Sequence, residues 1–212
     1  MLQLHSFTFN PFQENTFIIY NEHRQAWIID PGMMTTAEEH ILDNFIKEQK
    51  LSPQAVYLTH AHIDHILGLN YCCKKYNIDF KLHQAEQIIL QNAENTANMF
   101  GIPFSPISKE GRFFDKDSTL KLGNDTLEIR WVPGHSPGSV LFYNIDTSWA
   151  IVGDTLFEQS IGRTDLFMGD YDTLIHSIKQ YILSLPDDTI IYPGHGSATT
   201  INNEKKNNPF IR

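Results

Sequence analysis

Between Thr59 and His65 the chain reads THAHIDH, placing His60, His62, Asp64 and His65 within six residues. Imidazole and carboxylate at this density are the ligand types of a hydrolytic transition-metal site. Steps of 100° scatter the four around a helix, and His65 has the wrong parity for one strand face. A loop at the end of a strand removes both objections, and the apolar run Val56-Tyr57-Leu58 supplies that strand.

The same arrangement recurs three times downstream. A short apolar run ends in a ligand type at WVPGH before His135, AIVGD before Asp154 and IIYPGH before His195. Each of these three carries a glycine directly before the ligand type, where a tight turn or close backbone approach is required. Strand ends are rigid and their loops adaptable, so sites are commonly built there. The candidates are five histidines and two aspartates. Seven donors exceed one tetrahedral zinc but suit two metals about 3.5–4 Å apart that share a carboxylate and a hydroxide. Two divalent ions, two aspartates and one hydroxide leave a net charge of about +1, which favours an anionic or carbonyl substrate. His5, His23, His40, His83 and His176 lack paired ligand types and read as ordinary surface or core histidines.

The elements that must position these groups alternate in type. Strands are expected at 2–9, 16–20, 26–29, 55–59, 80–82, 119–122, 126–132, 140–144, 149–152 and 189–192. Helices are expected at 36–50, 66–76, 84–95 and 171–185, with Asp64 serving partly as N-cap of the second. Residues 98–109, with Pro103 and Pro106, read as an irregular loop, and 201–212 as a polar tail. Two β-rich halves that each carry helices point to a layered α/β arrangement of αββα type in one domain spanning 1–212.

Composition sets the outer limits. The chain has 212 residues, 16 basic and 25 acidic, for a net charge of −9. That balance argues against nucleic acid or an anionic membrane as the main partner. No stretch approaches the ~20 apolar residues of a membrane span, and MLQLHSFTFN lacks the regions of a signal peptide. The only cysteines, Cys72 and Cys73, are adjacent, which excludes a disulfide framework and leads to the expectation of a cytoplasmic protein. They lie in an apolar helical pattern and read as core packing.

THAHIDH, GHSPGS, GD and PGH, in this order and spacing, resemble the metallo-β-lactamase superfamily over nearly the whole chain. The resemblance implies a four-layer αββα sandwich. It implies His60, His62 and His135 on one metal, Asp64, His65 and His195 on a second, and Asp154 as the bridge. Asp64 and Asp154 would then be the carboxylates of the catalytic centre. The early aspartate of the family falls on Asp30 in IIDPG, where it would orient the ligand loop from outside the coordination shell. Two divalent transition metals are implied, zinc first, with iron or manganese as alternatives.

Within the superfamily the chain is similar to short hydrolases of the glyoxalase II type. NEKKNNPF resembles their E-K-x-x-N-P-F ending, and GDTLFEQSIGRTD their segment after the bridging aspartate. The chain ends at Arg212, before the helical domain that supplies glutathione contacts in classical glyoxalase II, and SIGRTD replaces the lysine- and tyrosine-bearing loop. The implied activity is hydrolysis of a small-molecule thioester such as an S-2-hydroxyacylglutathione by a metal-bridging hydroxide. GRTD also resembles mononuclear iron persulfide dioxygenases, although PGHG differs from their PAHDY-type ending. A non-catalytic metal-binding module on the same fold is the third reading. Arg163 and Asp165 read either as a structural clasp or as an anchor for a substrate carboxylate. The acyl group, the thiol carrier, the native metal and the oligomeric state are not specified by the sequence.

Overall fold

The computed structural model describes residues 1–114 and 119–211. The strands and helices follow the hydrophobic patterning closely. Gln3–Phe9 forms β1, Glu14–Tyr20 β2 and Gln25–Ile29 β3, followed by helix α1 at Thr36–Glu48. Then come β4 at Ser52–Tyr57, α2 at Leu69–Tyr76 and β5 at Phe80–Leu82. Helices α3 at Gln87–Gln91 and α4 at Ala93–Phe100 lead to β6 at Arg112–Phe113. The later half contains β7 at Thr119–Leu122, β8 at Asp125–Trp131, β9 at Val140–Asn144 and β10 at Trp149–Gly153. A small hairpin, β11 at Leu156–Phe157 with β12 at Ser160–Ile161, is followed by α5 at Tyr171–Ser177. The chain finishes with β13 at Ile190–Pro193, β14 at Thr199–Thr200 and α6 at Ile201–Asn207.

The chain divides into two units, one comprising Met1–Phe114 with Lys121–Asp125, the other the remainder. The first sheet runs β1-β2-β3-β4-β5-β6, antiparallel through β3 and parallel beyond it. Its core contains Ile18, Ile28, Leu42, Val56, Leu58, Leu69 and Phe80, each fully buried, at about 1.5–3 kcal/mol per side chain. Helix α1 begins with a capping box, in which Thr35 Oγ1 accepts from Glu38 N while Glu38 Oε2 accepts from Thr35 N. The second sheet runs β14-β13-β10-β9-β8-β7, with β10 and β13 parallel and its other recorded pairings antiparallel. Val152, Leu174, Ile178, Ile182, Ile191 and Ile201 form its core with α5 and α6. Both sheets are therefore mixed, and both are flanked by helices, as the patterning requires. Cys72 and Cys73 are buried free thiols in the first core.

Several boundaries differ from expectation. Asp64 is not the cap of α2: a single 3₁₀ turn spans Ile63–His65, and Gly68 occupies the N-cap of α2. The helix expected at 84–95 breaks at Asn92 and resumes as α4 to Phe100, so 98–100 are helical. Beyond Ser177, Ile178–Ile182 continues as a π-helical turn. The polar tail folds as α6, whose Ile201 and Glu204 are buried. Residues 115–118 lie outside the described residues, as does Arg212. No described helix is long and apolar enough to cross a membrane.

Candidate metal centre

In the first unit the parallel pair β3 and β4 ends at Ile29 and Tyr57, and Asp30 and Thr59 lie just beyond those ends. Asp30 N donates to Tyr57 O, and Asp30 itself has φ 48°, left-handed backbone that aspartate tolerates better than most residues. This geometry brings its buried carboxylate against the ligand loop. Oδ1 accepts from Thr59 N at 2.7 Å, and Oδ2 accepts from Thr59 Oγ1 at 2.5 Å and lies 3.1 Å from His65 Nδ1.

Hydrogen counting then fixes both rings. A carboxylate only accepts, so His65 donates from Nδ1 and Thr59 spends its single hydroxyl hydrogen on Asp30. Thr59 Oγ1 must therefore accept from His60 Nδ1, 3.0 Å away. Both imidazoles are left with Nε2 as the lone-pair nitrogen, which is the state a metal requires. Asp30, His60 and His65 do form one close group of donor atoms. The oxygens of Asp30 are taken up by Thr59 and His65, which makes it an orienting group. The rings of His60 and His65 lie 4.1 Å apart, and those of His60 and His62 4.8 Å. Asp64 Oδ2 is 3.8 Å from His65 Nε2.

The loop is held by residues that the sequence did not single out. Glu86, fully buried, accepts from Ala61 N at 2.8 Å, between the two histidines. Asn10 donates through Nδ2 to Asp64 O at 3.0 Å and to Gly32 O at 2.9 Å. Glu14, also buried, lies 3.7 Å from His65 Nδ1, and burial drives its carboxyl well above the usual carboxylate range despite the opposing pull of His65. Gly32 leaves no room for a side chain, since a Cβ there would stand 2.0 Å from Glu14 Oε2 and 2.7 Å from Asp64 O.

In the second unit β10 and β13 are parallel neighbours, so Asp154 and His195 emerge from adjacent strand ends, and Gly194 N donates to Gly153 O. His135 follows β8 through Gly134, whose φ of 131° and Cβ position 2.3 Å from the Leu174 backbone admit only glycine. His135 Nδ1 lies 2.8 Å from Arg163 O. A carbonyl can only accept, so this ring too presents Nε2 as its lone-pair nitrogen. Asp154 Oδ2 is 3.7 Å from His135 Nε2 and 3.4 Å from His195 Nε2. Both exceed the usual hydrogen-bond length. They approach the spacing of about 3.3 Å between two donors held at about 2.0–2.1 Å by one tetrahedral ion. A single carboxylate oxygen thus serves two imidazoles. Donor types, tautomers and separations in both units fit a transition metal.

Arg163 and Asp165 form a bidentate pair at 2.7 and 2.8 Å, both side chains more than half exposed. That pairing, first through hydrogen bonding, holds the Asp165 carboxyl down at about 2. The main-chain carbonyl of Arg163, which side-chain reasoning passes over, is the atom that meets His135.

The sequence profile of the metallo-beta-lactamase superfamily matches residues 9–195. The chain is 39% identical over 203 residues to the probable metallo-hydrolase YqgX of Bacillus subtilis, covering 95% of this chain and 93% of that protein. It is 37% identical over 202 residues to hydroxyacylglutathione hydrolase GloC of Haemophilus influenzae, covering 94% and 93% respectively. Among solved structures, BLEG-1 B3 metallo-beta-lactamase matches with a TM-score of 0.90 at 36% identity, covering 99% of each chain. TTHA1623, solved in a di-iron-bound form, matches with a TM-score of 0.86 at 32% identity, covering 97% of this chain and 99% of that one.

Proposed function

Because this chain belongs to the metallo-beta-lactamase superfamily, with its fold and its histidine–aspartate clusters, and is a metallo-hydrolase of that superfamily, we propose that it hydrolyses small-molecule thioesters with two divalent metals. His60, His62 and His135 are assigned to one ion, Asp64, His65 and His195 to the other, and Asp154 to both. Zinc is the first candidate and iron the second, the latter supported by the di-iron form of TTHA1623.

The observation that carries the two-metal reading is Asp154 Oδ2, within 3.7 Å of one imidazole nitrogen and 3.4 Å of another. The substrate class is supported by the similarity to GloC along nearly the full chain. When bound, the metals polarise a carbonyl and lower the pKa of a coordinated water, which makes it a nucleophile near neutral pH. The residues of the chain prepare that chemistry. Asp30 and Thr59 hold His60 and His65 with Nε2 available, and the Arg163 carbonyl does the same for His135. A thiolate of ordinary pKa near 8.5 departs without a strong acid, so the site needs no dedicated proton donor. Arg163 acts as a clasp, because its guanidinium is committed to Asp165.

The test combines elemental analysis with a substrate panel: S-lactoylglutathione, the same acyl group on a smaller thiol, a β-lactam and a glutathione persulfide. About two metals per chain and turnover of both thioesters are expected. Asp154→Ala should lose metal and activity together. Turnover of the β-lactam alone, or one iron with oxygen consumption on the persulfide, would replace this reading.

A further inference from the structure

The chain's last helix contains a carboxylate with an unusual environment. Glu204 on α6 is fully buried, and four donors surround it. Oε1 accepts from Thr199 Oγ1 at 2.6 Å and Asn203 Nδ2 at 2.9 Å, while Oε2 accepts from Gln159 N at 2.9 Å and Asn208 Nδ2 at 2.8 Å. No cation is needed to offset the buried charge, because each oxygen carries two hydrogen bonds. Asn208, equally buried, also donates to Ser160 O at 2.9 Å.

Gln159 lies in the turn of the β11–β12 hairpin and Ser160 opens β12, so Glu204 grips that hairpin by one N–H directly and by one carbonyl through Asn208. Two residues further on, Gly162 is pressed against the site. Its N–H reaches Thr155 O, and a Cβ on it would lie 1.9 Å from Asp154 O and 3.2 Å from His135 Nδ1. The next residue, Arg163, supplies the carbonyl that fixes the His135 ring. A continuous run of short contacts therefore leads from α6 to the imidazole.

We propose that Glu204 is a positioning residue for the metal centre, holding the β11–β12 hairpin so that the Arg163 carbonyl keeps His135 in its ligating tautomer. This rests on the assignment of His135 as a metal ligand. The isosteric change Glu204→Gln is the discriminating perturbation. An amide has one acceptor oxygen and one NH₂, so in either orientation the NH₂ must face two of the four donors. The hairpin turn or the Thr199–Asn203 side then loses its anchor. Asn208→Ala is the milder variant, removing the link to Ser160 O while Glu204 keeps three partners. Lys205→Ala is the control, since Lys205 pairs with exposed Asp187 and touches neither hairpin nor site.

Two readouts are independent of turnover. The first is affinity for zinc ion alone, by titration against a chromophoric chelator. The second is the Nδ1–H signal of His135 in long-range ¹H–¹⁵N spectra of metal-free protein. Glu204→Gln should bind zinc roughly ten- to a hundredfold more weakly and broaden or lose the His135 signal. Asn208→Ala should move both in the same direction by less, and Lys205→Ala should move neither. Wild-type zinc affinity and an unchanged His135 signal in a folded Glu204→Gln protein would overturn the proposal, even if its melting temperature fell. If Glu204→Gln fails to fold, Asn208→Ala decides by the same two readouts. Failure of the thioester panel with these shifts intact would count against the substrate alone.

Discussion

Asp30→Asn tests the hydrogen-bond count at the site with the least change in shape. Asparagine tolerates the left-handed backbone at φ 48° at least as well as aspartate, so backbone strain contributes nothing to the outcome. The amide has two orientations. With its oxygen toward Thr59 N, the NH₂ occupies the place of Oδ2, opposite Thr59 Oγ1 and His65 Nδ1. Thr59 must then accept, its hydrogen turns to His60 Nδ1, and both rings are driven to carry the proton on Nε2. The other orientation sets NH₂ against Thr59 N–H across 2.7 Å and leaves that buried donor unsatisfied. Each route costs about 1.5–3 kcal/mol, the value of a hydrogen bond to a charged group or of a stranded buried donor. At 1.4 kcal/mol per decade this is roughly a 10- to 100-fold loss of zinc affinity, in line with other residues that orient metal-bound histidines. The assay is chelator-competition titration with zinc, alongside ¹⁵N ring shifts of metal-free protein to read the tautomers. A folded Asp30→Asn protein with zinc affinity within about twofold of wild type and Nδ1-protonated His60 and His65 would refute the reasoning.

Two further outcomes follow from surface and partly buried groups. Arg163→Ala removes an exposed ion pair, weakened by solvent screening, but leaves the main-chain carbonyl that meets His135. Zinc affinity and kcat should stay near wild type, and a raised KM confined to carboxylate-bearing thioesters would show that the clasp reading is wrong. Asp43 on α1 accepts from Tyr71 Oη at 2.6 Å and Tyr76 Oη at 2.5 Å and pairs with Lys75, all on α2. Burial pushes its carboxyl up, but the two hydroxyls and Lys75 together hold it below the ordinary value. A depressed folded pKa gives stability that is present above the unfolded pKa of about 3.9 and is lost as pH falls through the folded one. Asp43→Asn should therefore lower the melting temperature at pH 7, by roughly 2–4 °C for each kcal/mol lost in a chain of this length. The gap to wild type should close below about pH 4, and a gap independent of pH would refute the assignment.

The strand-end ligand types were legible because residue type, apolar lead-in and glycine all sit within a few positions of one another. His60, His135, Asp154 and His195 each lie just beyond a strand, as that local pattern predicts. The groups that hold them were not legible, because their partners are distant in the chain. Glu86 acts 25 residues from its N–H, Glu204 45, and Asn10 54 from the Asp64 carbonyl. A single glutamate in an ordinary helical segment carries no compositional signal of burial. The NEKKNNPF ending did offer one, as a family resemblance, but its chemistry emerged only when α6 was seen against the hairpin. The breaks at Asn92 and after Ser177 failed for a different reason. Apolar periodicity continues through both, and only the observed hydrogen bonding distinguishes them from one uninterrupted helix.

The order of the two large sheets also bears on colloidal behaviour. Among the described residues, three of their four terminal strands are short: β6 and β14 have two residues each and β7 has four. The fourth, β1, extends over seven residues and includes no lysine, arginine, aspartate or proline. An open row of backbone donors and acceptors that long is a template on which another chain can add a strand. Leu4 and Phe7, on opposite faces of the strand and each only partly buried, would bury further apolar surface in such a stack. Concentrated solutions should thus begin to aggregate through Gln3–Phe9, and a lysine at an outward-facing position such as Ser6 would extend shelf life without touching the metal centre.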